Sequence, residues 1–276
     1  MATAWVLNLD ADLELEAGAR YAPTRTVLAA MRSHAAWLAE RLLSPGDVWL
    51  DEVSAPGMTG RAFCPTPRAL SAMQRAGVVP EPHPDVSVLR RVNSREFAHG
   101  LGPTLPGAAF VRDLDEARAL LARPPPVGDA WRIKRAFGMA GRGQRLARGD
   151  LSFLRAWVAE GVMIEPNVPI VDEYGRHGML AEGGSLTIGR LVRQRCDAHG
   201  QWLSTEPADD PAVASELERE VRSVAVALHH AGYFGPFGVD AFTYRAADGS
   251  LRLQPRSEIN ARYSMGFPIG FDLSRG

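Results

Sequence analysis

Hydrophobic residues in the first 85 positions recur at strand or helix spacing, which predicts a small α/β unit. Residues 4–9 and 47–53 predict strands, and Thr24–Leu43 predicts an amphipathic helix between them. A shorter helix is predicted after Thr66-Pro67, because a threonine cap followed by proline starts helices, and it should stop at Gly77. The apolar stripe of the longer helix is predicted to contain Val27, Leu28, Met31, Leu38 and Leu42.

The middle of the chain predicts a linker followed by a second small lobe. Three prolines mark the linker: Pro80, Pro82 and Pro84. A helix is predicted from Ser94 toward Leu105, and Asp113-x-x-Glu116 is typical of the capping box that begins another helix. The lobe then continues as strand, helix and strand: Trp131–Lys134, Asp150–Glu160 and Val162–Glu165.

The last hundred residues predict two hairpins separated by a long helix. Leu186–Cys196 and Gln201–Ser204 flank a four-residue turn and predict the first hairpin. A helix is predicted to begin at Asp210-Pro211 and to end at Gly232. The second hairpin turns at Asp248-Gly249, a dipeptide that strongly favours hairpins between alternating strands.

Composition limits the possible functions. The 276 residues carry 31 Lys and Arg against 32 Asp and Glu, so charge gives no indication of nucleic-acid binding. The N-terminus lacks a basic segment typical of signal peptides, and no apolar run approaches the roughly 20 residues of a membrane span. Two cysteines are too few for a disulfide framework. We therefore expect a soluble cytoplasmic protein without membrane or nucleic-acid partners.

The closing hairpin carries the clearest chemical signal. Side chains two apart on a strand share a face, so Glu258 and Asn260 should point together, and the turn should bring Asp240 opposite them. Facing carboxylates repel unless a cation lies between them. Oxygen ligands suit Mg²⁺, which keeps waters and bridges to phosphates. The hairpin therefore predicts a magnesium–phosphate site.

This Glu-x-Asn motif with an acidic residue on the preceding strand resembles the ATP-grasp superfamily of carboxylate–amine ligases and carboxylases. The resemblance covers residues 1 to about 266 and implies a mixed α/β (α+β) fold. An N-terminal α/β domain (1–88) would precede a small lobe with a glycine-rich loop (89–170) and a C-terminal lobe with the metal hairpin (171–276). The antiparallel sheets of the two lobes would sandwich ATP, with Mg²⁺ held by Asp240, Glu258 and Asn260.

The same resemblance implies a phosphate-binding strand and loop. Lys134, the sole lysine of the chain, ends a predicted strand and would bind the nucleotide phosphates. Gly138, Gly141 and Gly143 follow it, and glycines allow a backbone to approach phosphate oxygens. Their spacing is neither that of a dinucleotide-binding loop nor that of a P-loop. Arg95 takes the place of a further basic residue before the lobe, although Arg91 is near.

A hinge for the nucleoside is implied by Val162-Met-Ile-Glu165-Pro-Asn-Val168. The resemblance implies that Glu165 lies beside the adenine. The Pro166 carbonyl and the Val168 amide would hydrogen-bond the edge of the adenine. Glu173 matches the place of a ribose-binding acid, and Asp172 competes for that role. A buried strand leading into a solvated loop is the alternative interpretation of this segment.

The implied reaction joins a carboxylate to an amine through an acyl phosphate, with release of ADP and phosphate. Arg262, from the longer Glu-x-Asn-x-Arg motif, would hold the acyl phosphate or the carboxylate. Arg256 should share a face with Glu258 and is a second candidate, or else a surface arginine. The substrates would be small molecules or peptides, and a homodimer is possible.

Two questions stay open in the sequence. Arg193 and Arg195 share a predicted strand face opposite Arg190, and they either line an anionic substrate pocket or cover a solvated sheet. Two other functions compete with a ligase: a catalytically silent nucleotide-binding regulator of the same fold, and an unrelated α/β enzyme such as a dehydrogenase.

Overall fold

The structure, a computed structural model, describes residues 2–51, 53–102, 104–138, 141–197 and 200–273. Its strands are β1 (Thr3–Val6), β2 (Val48–Trp49), β3 (Thr59–Ala62), β4 (Val79–Pro80), β5 (Ala109–Val111), β6 (Ala130–Arg135), β7 (Gln144–Leu146), β8 (Val162–Asn167), β9 (Ile170–Leu180), β10 (Leu186–Cys196), β11 (Trp202–Pro207), β12 (Gly235–Arg245) and β13 (Leu251–Asn260). Its helices are α1 (Ala11–Ala17), α2 (Arg25–Leu42), α3 (Pro67–Arg75), α4 (Val86–Val92), α5 (Arg95–Gly100), α6 (Leu114–Leu121), α7 (Leu154–Val158), α8 (Pro211–His230) and α9 (Phe267–Gly270).

Within these ranges the strands form three sheets, one in each predicted segment of the chain. The N-terminal sheet is parallel, with the order β2-β1-β3-β4. The middle sheet (β5-β8-β6-β7) and the C-terminal sheet (β11-β10-β9-β12-β13) are antiparallel. This mixed α/β architecture confirms the predicted fold class, whereas the boundaries 1–88, 89–170 and 171–276 stay predictions.

The predicted helices begin where their caps place them. Thr24 accepts a hydrogen bond from the Val27 amide and caps α2, and Asp210 accepts one from Val213 and caps α8. Asp113 accepts from the amides of Asp115 and Glu116 and caps α6. Local capping chemistry therefore set these boundaries well, although α7 covers only part of the predicted Asp150–Glu160 helix.

The largest core joins the N-terminal unit to the C-terminal sheet. Leu38 of α2, Val224 and Leu228 of α8, and Phe237 and Ile259 of the closing hairpin all lie in one buried cluster. The middle sheet packs α6 and α7 into a separate core. Burial of α2 against the C-terminal sheet means that the first unit forms part of the wall around whatever that sheet holds.

One expectation about the elements is wrong, and one strand was not predicted. Leu28 was placed on the buried stripe of α2 but is 48% exposed, because the helix contacts its neighbours mainly through its second half. Strand β9 was missed, although it lies at the centre of the C-terminal sheet between β10 and β12. Its Gly175 and Gly178 leave no room for side chains, since a Cβ at Gly178 would lie 2.4 Å from the Phe237 ring.

A buried histidine lies in the middle of β9. His177 is fully enclosed, with Gly238, Gly266 and Gly270 packed closely around its ring. Its Nε2 hydrogen-bonds the Ser264 hydroxyl at 2.8 Å, whereas Nδ1 has no hydrogen-bond partner among the described residues. Burial lowers the pKa of His177 to about 4, so the ring is neutral at physiological pH.

We predict that His177 destabilises the fold as the pH falls. Between its ordinary pKa of 6.5 and the folded value of about 4, the unfolded chain binds a proton that the folded chain does not. Stability from this group is therefore present above pH 6.5 and is lost toward pH 4. As the pH falls, the free energy of unfolding should decrease less steeply for His177→Gln than for wild type, by up to about 1.4 kcal/mol per pH unit.

Urea unfolding of both proteins at pH 7, 6 and 5 measures this difference. The raised or lowered pKa values of other groups are shared by the two proteins and cancel in the comparison. Parallel pH profiles for the two proteins would contradict a buried neutral histidine.

Candidate functional site

A cavity of about 910 Å³ lies between the middle and C-terminal sheets. Its walls come from β6 and β8 on one side and from β9, β10, β12 and β13 on the other, with α2 closing one end. The volume lies within the roughly 300–1,000 Å³ of ligand pockets. The two antiparallel sheets therefore enclose a space large enough for a sizeable ligand.

The closing hairpin brings together the three residues of the predicted acidic site. Asp240 and Glu258 are direct partners in the β12–β13 ladder, and the Asn260 amide donates to Asp240 Oδ2 at 2.7 Å. Gln194 of β10 donates to the other oxygen of Asp240, also at 2.7 Å. Burial raises the pKa of Asp240 to about 6, and the facing Glu258 carboxylate adds to the shift. The site is thus deficient in positive charge.

Arg95 partly offsets this deficiency. Its Nη2 donates to Glu258 Oε1 at 2.8 Å, and its Nη1 donates to the Arg135 carbonyl at 2.7 Å. The guanidinium lies directly against Gly138, where a Cβ would come within 2.8 Å of both terminal nitrogens. The predicted basic residue therefore stands between the glycine loop and the acidic pair.

Lys134 also has an acidic partner inside the cavity. Its ammonium lies 2.6 Å from Glu165 Oε1, and both side chains are largely buried. Pro166 and Val168 line the cavity beside them. Arg132, which the sequence did not single out, is adjacent in the lining and donates to Asn167 Oδ1 at 2.6 Å.

The glycine-rich loop is only partly a cavity wall. Gly138 and Gly141 line the cavity, whereas Gly143 instead shapes the turn into β7, with φ at +78° and its carbonyl accepting from Arg135. A Cβ at Gly143 would lie 3.2 Å from the Arg135 side chain. Residues 139 and 140, between these glycines, lie outside the described residues.

The β9 acids and β10 arginines border the same cavity. Glu173 and Asp172 both line it, and Arg193 lies 3.6 Å from Asp172. Arg195 also lines the cavity and pairs with Glu206 at 3.2 Å. By contrast, Arg190 donates to the Ile269 carbonyl, away from the cavity. Arg193 shares the sheet face of Tyr174, whose ring it covers at 5.7 Å and which packs with residues of α8, whereas Gln194 between the two arginines points to Asp240. This placement favours the solvated face for Arg193 and Arg195.

Arg262 lines the cavity but is held from the N-terminal unit. Asp12 of α1 accepts from its Nε at 3.2 Å and from its Nη2 at 2.6 Å, in a buried bidentate pair. The Phe63 ring lies 5.2 Å from the guanidinium. No local signal in the sequence pointed to Asp12, because its partner is 250 positions away.

The prediction that Arg256 shares a face with Glu258 is wrong. A bulge separates the Asp240–Glu258 pair from the next pair along the ladder and interrupts the alternation of side chains. Arg256 is buried, donates to the Ala98 carbonyl at 3.0 Å and pairs with Glu220 of α8. It is not among the residues lining the large cavity. These contacts support a structural role for Arg256.

The donor set limits what this site can hold. Among the described residues, no three His, Cys, Asp or Glu side chains gather as a metal site. Asp240 and Glu258 supply two carboxylates, and Asn260 keeps a carbonyl oxygen after donating through its nitrogen. Such a set suits a hard cation that completes its coordination with water and phosphate oxygens.

None of the helices among the described residues is long and apolar enough to cross a membrane.

Comparison with known proteins identifies the fold. The sequence matches no protein-family model and no curated protein. N5-carboxyaminoimidazole synthetase of Staphylococcus aureus, solved with ADP, is similar over 95% of this chain and 71% of its own, with 12% identity and a TM-score of 0.54. The N5-carboxyaminoimidazole ribonucleotide synthetase of Thermus thermophilus matches over the same shares, with 18% identity and a TM-score of 0.52.

A third structure is the biotin carboxylase domain of Hydrogenobacter thermophilus 2-oxoglutarate carboxylase, solved as a dimer with MgADP, ADP and bicarbonate. It is similar over 96% of this chain and 65% of its own, with 15% identity and a TM-score of 0.56. These neighbours are ATP-grasp proteins. With its cavity between two antiparallel sheets, this chain has the ATP-grasp fold.

Proposed function

We propose that the protein is an ATP-dependent ligase that activates a carboxylate as an acyl phosphate and joins it to an amine. One observation supports this function above all: the partly buried Asp240–Glu258 pair shares a cavity with Lys134, the sole lysine of the chain. Anionic and cationic groups that face one cavity suit a ligand that carries both phosphates and a divalent cation.

In this proposal the middle sheet binds the nucleotide. Lys134 and Arg95 contact phosphate oxygens, and Gly138 and Gly141 allow the loop backbone to approach them. Gly143 supports the loop from the turn. Lys134 and Arg95 now pair with Glu165 and Glu258, so phosphate binding exchanges those partners. The release of Glu165 leaves it beside the adenine.

The base and the sugar occupy the hinge between the sheets. The Pro166 carbonyl and the Val168 amide hydrogen-bond the adenine edge, and both residues line the cavity. Glu173 binds the ribose hydroxyls, with Asp172 held by Arg193. Each of these assignments is supported by position in the cavity lining.

Asp240, Glu258 and Asn260 would hold Mg²⁺. The raised pKa of Asp240, caused by burial and by Glu258, indicates a place where positive charge is missing, and the oxygen donors fit this ion. When bound, Mg²⁺ would neutralise charge on the phosphates of ATP.

The chemistry follows from positioning. A carboxylate oxygen of the substrate bonds to the γ-phosphorus, the bond from that phosphorus to the bridging oxygen breaks, and ADP leaves. The amine nitrogen then attacks the acyl carbon, loses a proton, and phosphate departs. Arg262 orients the carboxylate and the acyl phosphate, and Asp12 holds the guanidinium plane in place.

The ATP-grasp fold argues against the alternative of an unrelated dehydrogenase. A silent nucleotide-binding regulator would keep the cavity without turnover, so release of ADP in the presence of acid and amine distinguishes the two remaining functions. The intact acidic pair supports the ligase. A cytoplasmic location and a homodimer stay predictions, as does the chemical class of the amine.

We predict that Glu258→Gln and Asn260→Ala each lower ATP turnover by about 100-fold or more, because each removes an oxygen placed to counter phosphate charge. Phosphate release with MgATP and a pool of acids and amines measures the loss, and circular dichroism verifies the fold. Glu182→Gln, an exposed acid in the β9–β10 turn, is the matched control. Wild-type turnover in the Glu258 variant would reject the metal assignment.

A second prediction concerns Lys134. Lys134→Ala should weaken ATP binding by about 10-fold to 100-fold, because a hydrogen bond from a charged group contributes about 1.5–3 kcal/mol. Isothermal titration with MgADP measures the affinity. Arg148→Ala removes a cation that is 64% exposed and pairs with Asp129 outside the cavity, and it should bind normally. Equal affinities in the two variants would rule out a phosphate contact.

A further inference from the structure

One end of the large cavity differs in chemistry from the rest. There, α2 contributes Met31 and His34, β11 contributes Trp202, and the loop after β13 contributes Met265. Phe63, which follows β3, lies in the same lining. The rest of the cavity is lined by arginines and carboxylates, whereas this end is lined by aromatic rings and thioethers, which suit an apolar group.

Trp202 is fixed in position by its neighbours. Its indole Nε1 donates to the Thr205 hydroxyl at 2.8 Å. Its ring meets the edges of Trp37 and His34 at centroid distances of 4.8 and 5.7 Å. The indole has a single donor, and Thr205 satisfies it. Trp202 therefore presents only the apolar surface of its ring to the cavity, in a fixed orientation.

This aromatic end is connected to the proposed reaction centre. Ser264, Met265 and Gly266 follow closely after Arg262 and line the cavity with it. A Cβ at Gly266 would lie 3.4 Å from the Thr205 methyl, so this loop touches the strand that carries Trp202. A ligand with its carboxylate at Arg262 thus has the aromatic end within the same compartment.

We propose that the carboxylate substrate carries an aromatic ring, which packs on Trp202 while Arg262 holds the carboxylate. The inference rests on the proposed ligase function and adds its substrate class. Arg262, which lies 5.2 Å from the Phe63 ring, disfavours a cationic side chain, and the aromatic walls disfavour a small polar one.

The test compares matched acids in one reaction. With MgATP and hydroxylamine as the amine, an acyl phosphate gives a hydroxamate together with phosphate, and both are measured. We expect kcat/KM for 3-phenylpropionate to exceed that for propionate, and L-phenylalanine to exceed L-alanine, each by at least about tenfold, since apolar pockets discriminate through added hydrocarbon. Equal or reversed preference would overturn the substrate class.

Variants of Trp202 test the assigned surface. Trp202→Ala should reduce the aromatic preference to about twofold or less, and Trp202→Phe should retain most of it because a ring remains. Leu251→Ala, which is 56% exposed at the far end of β13, should keep the full preference. A full preference in Trp202→Ala would overturn the assignment of this ring.

The outcomes separate this inference from the function it rests on. Turnover with propionate and alanine but not with the aromatic acids rejects the aromatic subsite and leaves the ligase standing. No hydroxamate with any acid, in a protein that binds MgADP by titration, rejects the ligase and the subsite together.

Discussion

Two carboxylates that face each other across neighbouring strands are the constraint on which this structure depends. Asp240 and Glu258 are paired in the β12–β13 ladder, where like charges are destabilising. Gln194 and Asn260 donate to the first, and Arg95 donates to the second. The pKa of Asp240 is nevertheless raised by burial and by Glu258. Without a cation the negative charge of the pair is only partly compensated, which supports the proposed metal site.

Ion pairs join separate parts of the chain around the site. Helix α1 reaches the C-terminal sheet through Asp12 and Arg262, and the middle sheet through Glu16 and Arg135. The Asp12–Arg262 pair is buried, and removing one partner of such a pair typically costs about 3–5 kcal/mol, because the other charge is left uncompensated. The N-terminal unit therefore positions groups of the cavity as well as closing one end of it.

Much of the site was predictable because its signals are local. The Asp248-Gly249 turn pairs β12 with β13, although its register alone would place Asp240 opposite Arg256, and the bulge in β13 brings Glu258 to that position instead. Lys134 was conspicuous as the sole lysine on a strand before glycines. Helix caps such as Asp210 placed helix starts to within a residue.

By itself, the sequence determined the elements whose turns, caps and alternation lie within a few residues of one another. Only the tertiary structure decided the rest. Strand β9 has little apolar alternation and is stabilised by pairing with β10 and β12 on both sides. A bulge turned Arg256 toward Glu220, and Asp12 met Arg262 across 250 positions. Such contacts depend on how distant segments pack, and no pattern within one segment carries that information.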